Sequence, residues 1–218
     1  LTNIGTTLIG TLFITVLNSI LWFFGIHGTA VIDSFMGPLW YAARFDNLEV
    51  FKASAAAARQ FIVTQDFANH IIFLGGTGNT LSLAAIMAFK CRSKRIKSLG
   101  KLGFVPGLFN VNEPIIFGLP LVLNPVMAIP FFLVPPVTVL ISFCAMYFGL
   151  VPYPTGVTVP WTLPAPFGGW MMCNDWRGGL LQIVILLVGG LIYYPFITAL
   201  DKQYLKEEQS ESTAEAEG

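Results

Sequence analysis

The sequence predicts an all-α integral membrane protein, built from transmembrane helices with two re-entrant, broken hairpin elements. Hydrophobic residues make up 55% of the 218 residues and charged residues only 11%, whereas a soluble domain carries roughly 25% charged residues. Prolines and glycines interrupt the apolar stretches, and each internal proline removes a backbone donor that a helix needs. The formal net charge is zero, which excludes the basic footprint of a nucleic-acid-binding protein.

The first part of the chain predicts a transmembrane helix followed by the first broken element. Residues 1–32 contain no Asp, Glu, Lys or Arg, and the apolar run from Leu8 to Phe24 approaches the roughly 20 residues that a span needs. This helix should end at the glycine-bracketed His27. The next apolar piece, Val31 to Trp40, is too short to span the membrane and predicts a re-entrant hairpin. The polar, Ala-rich stretch Tyr41 to Thr64 is typical of a surface or interfacial helix.

The next predicted span runs from Phe67 to Phe89 and is interrupted by the glycine-rich run Gly75 to Asn79. Near its start we expect three polar boundary residues, which are Asp66, Asn69 and His70. The block from Lys90 to Lys101 then carries six Lys or Arg residues, the densest basic run in the chain. By the positive-inside rule, this block predicts a cytoplasmic loop.

A single carboxylate, Glu113, lies in the second broken element, Gly103 to Pro125. No other Asp, Glu, Lys or Arg occurs between Lys101 and Asp175. Prolines and glycines forbid a continuous helix across the element. Broken backbone at membrane depth persists only where it is buried in protein or lines a wet cavity, and a lone carboxylate there is costly unless it has a partner. Together these facts predict a substrate cavity that contains Glu113.

Two further spans and a tail complete the predicted organisation. Pro130 to Leu150 and Gly178 to Leu200 are long apolar runs, and between them the Pro-, Gly- and Trp-rich stretch Val151 to Arg177 is typical of a loop over a cavity or at the aromatic belt. The predicted transmembrane domain is therefore 1–200. Residues 201–218 are rich in Glu and predict an acidic, disordered cytoplasmic tail.

The two broken elements resemble each other, because each has a helix, a break with one ionisable residue, and a short apolar return. Transporters build binding sites near the membrane midplane from such paired breaks. His27 and Glu113 are therefore predicted to be partners in one cavity.

The stretch Phe109-Asn-Val-Asn-Glu-Pro-Ile-Ile-Phe-Gly-Leu-Pro-Leu-Val-Leu-Asn-Pro125 resembles the Asn-Glu-Pro-Ile signature of a known family. This family is the membrane-spanning IIC subunit of bacterial phosphotransferase-system sugar permeases, in the lactose, cellobiose and diacetylchitobiose branch. Three other motifs support the resemblance: Gly25-Ile-His-Gly28, Gly100-Lys-Leu-Gly103 leading into Pro106-Gly107, and Val159-Pro-Trp-Thr-Leu-Pro164. It covers residues 1–200 and corresponds to the C-terminal half of such a permease.

The resemblance implies a sugar permease that works with cytosolic IIB and IIA phosphotransfer subunits in the bacterial cell membrane. It implies that a disaccharide is presented to a IIB phosphocysteine, so that phosphorylation accompanies import. The chain would then be the membrane component of a transferase, active as an enzyme only with IIB, and a homodimer in the full-length protein. Its cytoplasmic C-terminus, a multi-pass arrangement, and the absence of any metal, other cofactor or nucleic-acid partner belong to the same expectation.

The resemblance also assigns roles to individual residues. Glu113 would be the carboxylate near the hydroxyl that receives the phosphoryl group, and His27 its companion hydrogen-bonding group. Asn112 can both donate and accept hydrogen bonds, which suits sugar hydroxyls or the positioning of Glu113. Trp161 is a candidate stacking platform for a sugar ring, with an interfacial Trp as the alternative. Trp22 lies about one helical turn before His27 and is expected to line the cavity or to pack in the core.

Two other interpretations stay open at this stage. One is an ion-coupled sugar or solute transporter that uses Glu113 as a proton carrier and leaves its substrate unmodified. The other is an inactive half-permease fragment, because the chain begins at Leu1 without an initiator Met and has no signal-peptide pattern. Three unevenly spaced cysteines, Cys91, Cys144 and Cys173, match no metal or disulfide motif and predict structural thiols.

Overall fold

The computed structural model describes residues 5–54, 59–119, 121 and 124–217, and the regular secondary structure in these ranges is helical. This confirms the all-α fold class. We number the helices α1 to α9 in chain order. They are α1 Leu8–Phe23, α2 Gly28–Ala53, α3 Gln65–Phe67, α4 Leu81–Phe89, α5 Lys94–Leu108, α6 Glu113–Gly118, α7 Pro125–Tyr147, α8 Phe167–Cys173 and α9 Trp176–Glu217.

The described helices include two that are long and apolar enough to cross a membrane, namely α7 and α9. A third candidate is the bent pair Gln65–Asn79 and Leu81–Phe89, whose halves meet at 48°. In this pair α3 continues as a π-helical turn, Ala68–Ile72, and a short 3₁₀ turn precedes α4. The predicted glycine interruption therefore coincides with a real bend. Helix α1 is confirmed as an apolar helix, but its 16 residues rise only about 24 Å.

The prediction that a short apolar piece ends at Trp40 is wrong. Helix α2 runs without interruption for 26 residues, so the expected hairpin return and the expected surface helix are parts of one helix. Its second half stays helical because it also packs inward: Trp40 and Asn47 are fully buried. The indole nitrogen of Trp40 donates to the carbonyl of Gly5 at 3.1 Å, and Asn47 donates to the carbonyl of Pro154 at 2.9 Å.

The basic block is a loop only at residues 90–93. Helix α5 begins at Lys94, with Ser93 as its N-cap, and it continues past the predicted start of the break to Leu108. Close packing explains the difference: a Cβ on Gly100 would lie 2.4 Å from the backbone nitrogen of Ala88. The glycines of this segment therefore serve helix contact, and the second break falls at residues 109–112.

The tail continues α9 through Glu217, so the prediction of disorder is wrong for the described residues after 200. Two carboxylates of α9 hold the start of α5. Asp201 accepts hydrogen bonds from the backbone N–H groups of Arg92 and Ser93, and Glu208 accepts from the Ser93 hydroxyl and the Arg95 N–H. These carboxylates bind N–H groups at the start of α5 that have no partner within the helix. Their negative charge also complements the dipole of α5. The division into a transmembrane domain and a cytoplasmic tail stays a prediction.

The contact between α9 and α5 predicts a measurable loss of stability on mutation. We expect Asp201→Ala to lower the free energy of unfolding by about 1–3 kcal/mol, because it leaves N–H groups next to α5 unsatisfied. Thermal unfolding in detergent, followed by circular dichroism, measures this as a lower melting temperature. Glu211→Ala is the matched control on an exposed turn of α9. Equal melting temperatures for the two variants would contradict the role of Asp201.

Candidate functional site

The candidate site is a cavity of about 340 Å³ where three interruptions of the helices meet. The first is the turn between α1 and α2, the second is the glycine-rich run before α4, and the third is the bend between α5 and α6. Broken backbone is tolerated among apolar helices when it lines such a cavity. The lining residues are Trp22, His27, Thr29, Ala30, Asp33, Tyr41, Gln65, Asn69, Phe73, Gly76, Thr77, Asn110, Val111, Asn112, Glu113 and Trp161.

His27 and Glu113 face each other across the cavity, as the paired elements predict. The Nε2 atom of His27 lies 4.0 Å from Oε1 of Glu113, which is too long for a direct hydrogen bond. The other ring nitrogen, Nδ1, accepts a hydrogen bond from the N–H of Ala30 at 3.1 Å and caps α2. A neutral imidazole that accepts at Nδ1 carries its hydrogen on Nε2. His27 therefore presents a donor toward the Glu113 carboxylate.

Glu113 opens the short helix α6, and its side chain is 45% exposed. Its Oε1 atom faces His27, while its Oε2 atom is buried and has no hydrogen-bond partner among the described residues. The His27 side chain is 56% exposed. Both groups therefore keep hydrogen-bonding capacity for a ligand in the cavity.

Asn112 is buried and joins the residue before Glu113 to the glycine-rich run. Its Nδ2 atom donates to the carbonyl of Thr77 and to the hydroxyl of Thr80, each at 2.7 Å. Both amide hydrogens are therefore engaged within the protein, which is the geometry of a positioning residue. For Nδ2 to donate to a ligand, one of these hydrogen bonds has to break.

The two tryptophans lie on different parts of the cavity wall. Trp22 is almost fully buried, its ring lies 4.5 Å from the His27 ring, and its Nε1 donates to the hydroxyl of Thr29 at 3.3 Å. Trp161 is 53% exposed and comes from the long connection between α7 and α8. Trp22 thus supports the His27 ring, while Trp161 offers an accessible aromatic surface.

The glycine-rich run takes a conformation that other residues rarely adopt. Gly75, Gly76 and Gly78 have φ angles of 68°, 84° and 80°, in the region that strongly favours glycine. The side chain of Asn112 packs on Gly76, where a Cβ would lie 2.2 Å from its Cγ. The hydroxyl of Tyr193 donates to the carbonyl of Gly78 at 2.7 Å. Side chains from other helices thus satisfy the freed backbone groups.

Sequence reasoning missed a second polar cluster on the cavity wall. Asp33 accepts a hydrogen bond from Gln65 Nε2 at 3.1 Å, and the same nitrogen lies 3.3 Å from Asn69 Oδ1. Asn69 is therefore a lining residue, while its neighbours Asp66 and His70 are buried in the interior. One signal was available, since Asp33 is the first charged residue after 32 uncharged ones.

Residues 1–135 match the family described as "Phosphotransferase system, EIIC". The chain is 41% identical over 216 residues to the PTS system oligo-beta-mannoside-specific EIIC component of Bacillus subtilis (strain 168), covering 99% of this chain and 48% of that protein. It is 43% identical over 214 residues to the PTS system cellobiose-specific EIIC component of Geobacillus stearothermophilus, covering 98% of this chain and 48% of that protein.

A solved structure is similar throughout. It is the crystal structure of the transporter ChbC, the IIC component from the N,N'-diacetylchitobiose-specific phosphotransferase system. The TM-score is 0.92 at 37% identity, and the match covers 95% of this chain and 48% of that one. The chain thus spans about half the length of the proteins it matches.

The packing of Gly76 against Asn112 predicts the effect of adding a methyl group there. We expect Gly76→Ala to lower the melting temperature in detergent, because the new Cβ collides with the Asn112 side chain and the φ of 84° disfavours alanine. Gly149→Ala is the matched control, since Gly149 has a φ of 75° and no heavy atom of the described residues lies within 4 Å of the added Cβ. We expect Gly149→Ala to lower the free energy of unfolding by only about 1–2 kcal/mol, from backbone strain. Equal losses in the two variants would contradict the packing at Asn112.

Proposed function

Because the chain belongs to the EIIC family of the phosphotransferase system, we propose that it is the sugar-binding membrane component of such a system. It binds a disaccharide of the cellobiose, chitobiose or lactose type and presents it to a IIB phosphocysteine during import. The observation that carries this proposal is the pair formed by His27 and Glu113, both half-exposed and unbonded to each other in a cavity of about 340 Å³. That volume lies at the lower end of the range for small-molecule sites.

In the proposed reaction, Glu113 acts as the base for a sugar hydroxyl. The carboxylate accepts the hydroxyl proton while the hydroxyl oxygen attacks the phosphorus atom on the IIB cysteine. The new O–P bond forms as the S–P bond breaks, and the cysteine leaves as a thiolate. A base works at hydrogen-bond reach, within about 3 Å of the proton's heavy atom. His27 donates from Nε2 to a sugar oxygen or to Glu113, and Asn112 keeps the carboxylate in position.

The remaining wall of the cavity suits the rest of a sugar. Trp161 offers an exposed aromatic face for a ring, and the Trp22 ring packs against the His27 ring. On the same wall, Asp33, Gln65 and Asn69 supply donors and acceptors. Hydroxyl-rich ligands need such paired groups, because each buried hydroxyl without a partner costs free energy.

We further propose that the break at residues 109–112 belongs to a re-entrant element that enters the membrane without crossing it. Its support is the shortness of α6 and the meeting of this break with the turn at His27 at one cavity. Transporters place binding sites at such paired breaks. In the full-length protein we expect a homodimer, in a bacterial cell membrane.

The start of α5 and the end of α9 lie on one side of the protein, because Asp201 contacts Arg92 and Ser93 directly. The six basic residues from Lys90 to Lys101 favour the cytoplasmic side. We propose that the surface formed by Lys90 to Lys101 and the tail is the cytoplasmic face on which IIB and IIA bind.

The proposed base predicts loss of phosphorylation in Glu113→Gln. The amide keeps the shape of the side chain but cannot take the hydroxyl proton. We expect at least a hundredfold loss of sugar phosphate formation, the lower range for general base catalysis. The measurement is uptake of radiolabelled cellobiose with product analysis, in vesicles that contain the general phosphotransfer proteins, IIA and IIB.

Glu49→Gln is the matched control, an exposed glutamate of α2 outside the cavity. Sugar phosphate formed by Glu113→Gln at the control rate would remove Glu113 from the mechanism. Unmodified sugar driven inward by a proton gradient would favour the ion-coupled alternative. If the chain alone forms no product, it is co-expressed with the other half of a relative. Product formed by the two halves together indicates an incomplete permease, and no product indicates an inactive one.

The proposed orientation predicts the reactivity of two exposed positions, Ser98 on α5 and Ser210 on α9. Each is changed to cysteine in a background without native cysteines and treated with an impermeant thiol reagent. Both should react in inverted vesicles and not in intact cells. Labelling of either position in intact cells would overturn the orientation.

The reactivity of the native cysteines in the unaltered chain sets the baseline for this experiment. Burial raises the pKa of the Cys91 and Cys173 thiols to about 12, so little reactive thiolate exists at neutral pH. Cys91 and Cys173 should therefore label slowly in either preparation, so that labelling of the unaltered chain reports on the partly exposed Cys144 and provides the baseline.

A further inference from the structure

Asn110 joins three separate parts of the cavity wall. It occupies the bend between α5 and α6 with a φ of 65°, a left-handed conformation that asparagine tolerates better than most residues. Its Oδ1 accepts a hydrogen bond from the N–H of Gly75 at 2.6 Å. Its Nδ2 donates to the carbonyl of Trp161. One amide thus connects the glycine-rich run, the bend that leads to Glu113, and the connection that carries Trp161.

The connection that carries Trp161 is held to other segments mainly before that residue. Residues 151–160 are without helix. Thr155 bonds to the carbonyl of Met172, Asn47 donates to Pro154, and the N–H of the buried Val159 makes a longer contact with Asp66. At Trp161 itself, the bond within the same segment is the turn from the N–H of Leu163 to the carbonyl of Pro160. Among the hydrogen bonds of the described residues, the one from Asn110 is the tie that reaches Trp161 from another segment. Trp161 itself is 53% exposed, so packing alone does not fix it.

The oxygen and the nitrogen of the Asn110 amide bind different segments. The oxygen holds the N–H of Gly75, next to the backbone that Asn112 also fastens. The nitrogen holds the carbonyl of Trp161. Glu113 has its own support, because Asn112 precedes it directly and donates to Thr77 and Thr80. Loss of the nitrogen end therefore releases the aromatic wall and leaves the carboxylate in place.

We infer that Asn110 is a positioning residue that holds Trp161 over the cavity and so sets the affinity for a ring-shaped sugar. This inference rests on the proposed function for its sugar, but the hydrogen bonds that carry it are independent of any ligand. It separates substrate binding, through Trp161, from proton transfer, through Glu113.

Two substitutions separate the two ends of the amide. Asn110→Asp keeps an acceptor for the N–H of Gly75 but has no donor for the carbonyl of Trp161. Asn110→Gly accepts the left-handed φ and removes both bonds. The matched control is Asn174→Gly, because Asn174 is exposed, has a φ of 51° and lies outside the cavity. These variants avoid the backbone strain that alanine has at this φ.

Amide hydrogen exchange of the unliganded chain, read by mass spectrometry, tests the structural part. In Asn110→Asp we expect exchange about tenfold faster in the peptide around Trp161, because the turn bond from the N–H of Leu163 to the carbonyl of Pro160 loses the anchor that Asn110 gives it at Trp161. The N–H of Gly75, which the aspartate still accepts, should stay protected. In Asn110→Gly both peptides should exchange faster, and in Asn174→Gly neither should change. Unchanged exchange around Trp161 in both Asn110 variants would overturn the inference. If Asn110→Asp does not fold, exchange around Trp161 in Asn110→Gly, compared with Asn174→Gly, still tests the inference.

Kinetics with the phosphotransfer partners tests the functional part. We expect Asn110→Asp to raise KM for cellobiose about tenfold and to leave kcat within about twofold, because Glu113 keeps its support. A fall in kcat with unchanged KM would overturn the assignment to Trp161. If the unaltered chain forms no sugar phosphate even with the rest of its relatives' length supplied, the proposed function fails, while the exchange result still stands or falls by itself.

Discussion

The structure depends on one constraint: interrupted backbone lies among apolar helices, where an unpaired N–H or C=O group is costly. The glycine-rich run shows how this constraint is met. Asn110 and Asn112 reach it from the neighbouring bend, and Tyr193 reaches it from α9. Each of these side chains replaces a hydrogen bond that a continuous helix makes for itself. The breaks therefore support one another, and their meeting point becomes the cavity.

The same constraint explains why His27 and Glu113 remain free. The Nδ1 atom of His27 caps α2, and both amide hydrogens of Asn112 are bound by the backbone run and Thr80. The Nε2 atom of His27 and the Oε1 atom of Glu113 have no such task among the described residues, and they lie 4.0 Å apart at the cavity. The polar groups next to the breaks thus divide into those that complete the backbone and those that do not.

The cavity is also connected to the charged end of the molecule through one helix. Helix α5 begins where Asp201 and Glu208 hold its N-terminal N–H groups, and it ends at the bend that carries Asn110. Its 15 residues give a rigid element about 22 Å long. The acidic stretch after residue 200 is therefore a structural partner of the basic block, since opposite charges and free helix ends complement each other.

The sequence by itself determined the all-α class and the breaks at His27 and around Glu113, because apolar runs, prolines and a lone carboxylate act locally. The resemblance of the Asn-Glu-Pro-Ile stretch indicated the family. It also predicted that His27 and Glu113 lie together. Only the tertiary structure decided that α2 continues past Trp40, that α5 contains the basic block from Lys94 onward, and that the described tail is helical. Those outcomes depend on contacts between residues far apart in the chain, such as Asn47 with Pro154 and Asp201 with Ser93. For the same reason, Asn110 and Asp33 became visible as parts of the site only when the helices were packed together.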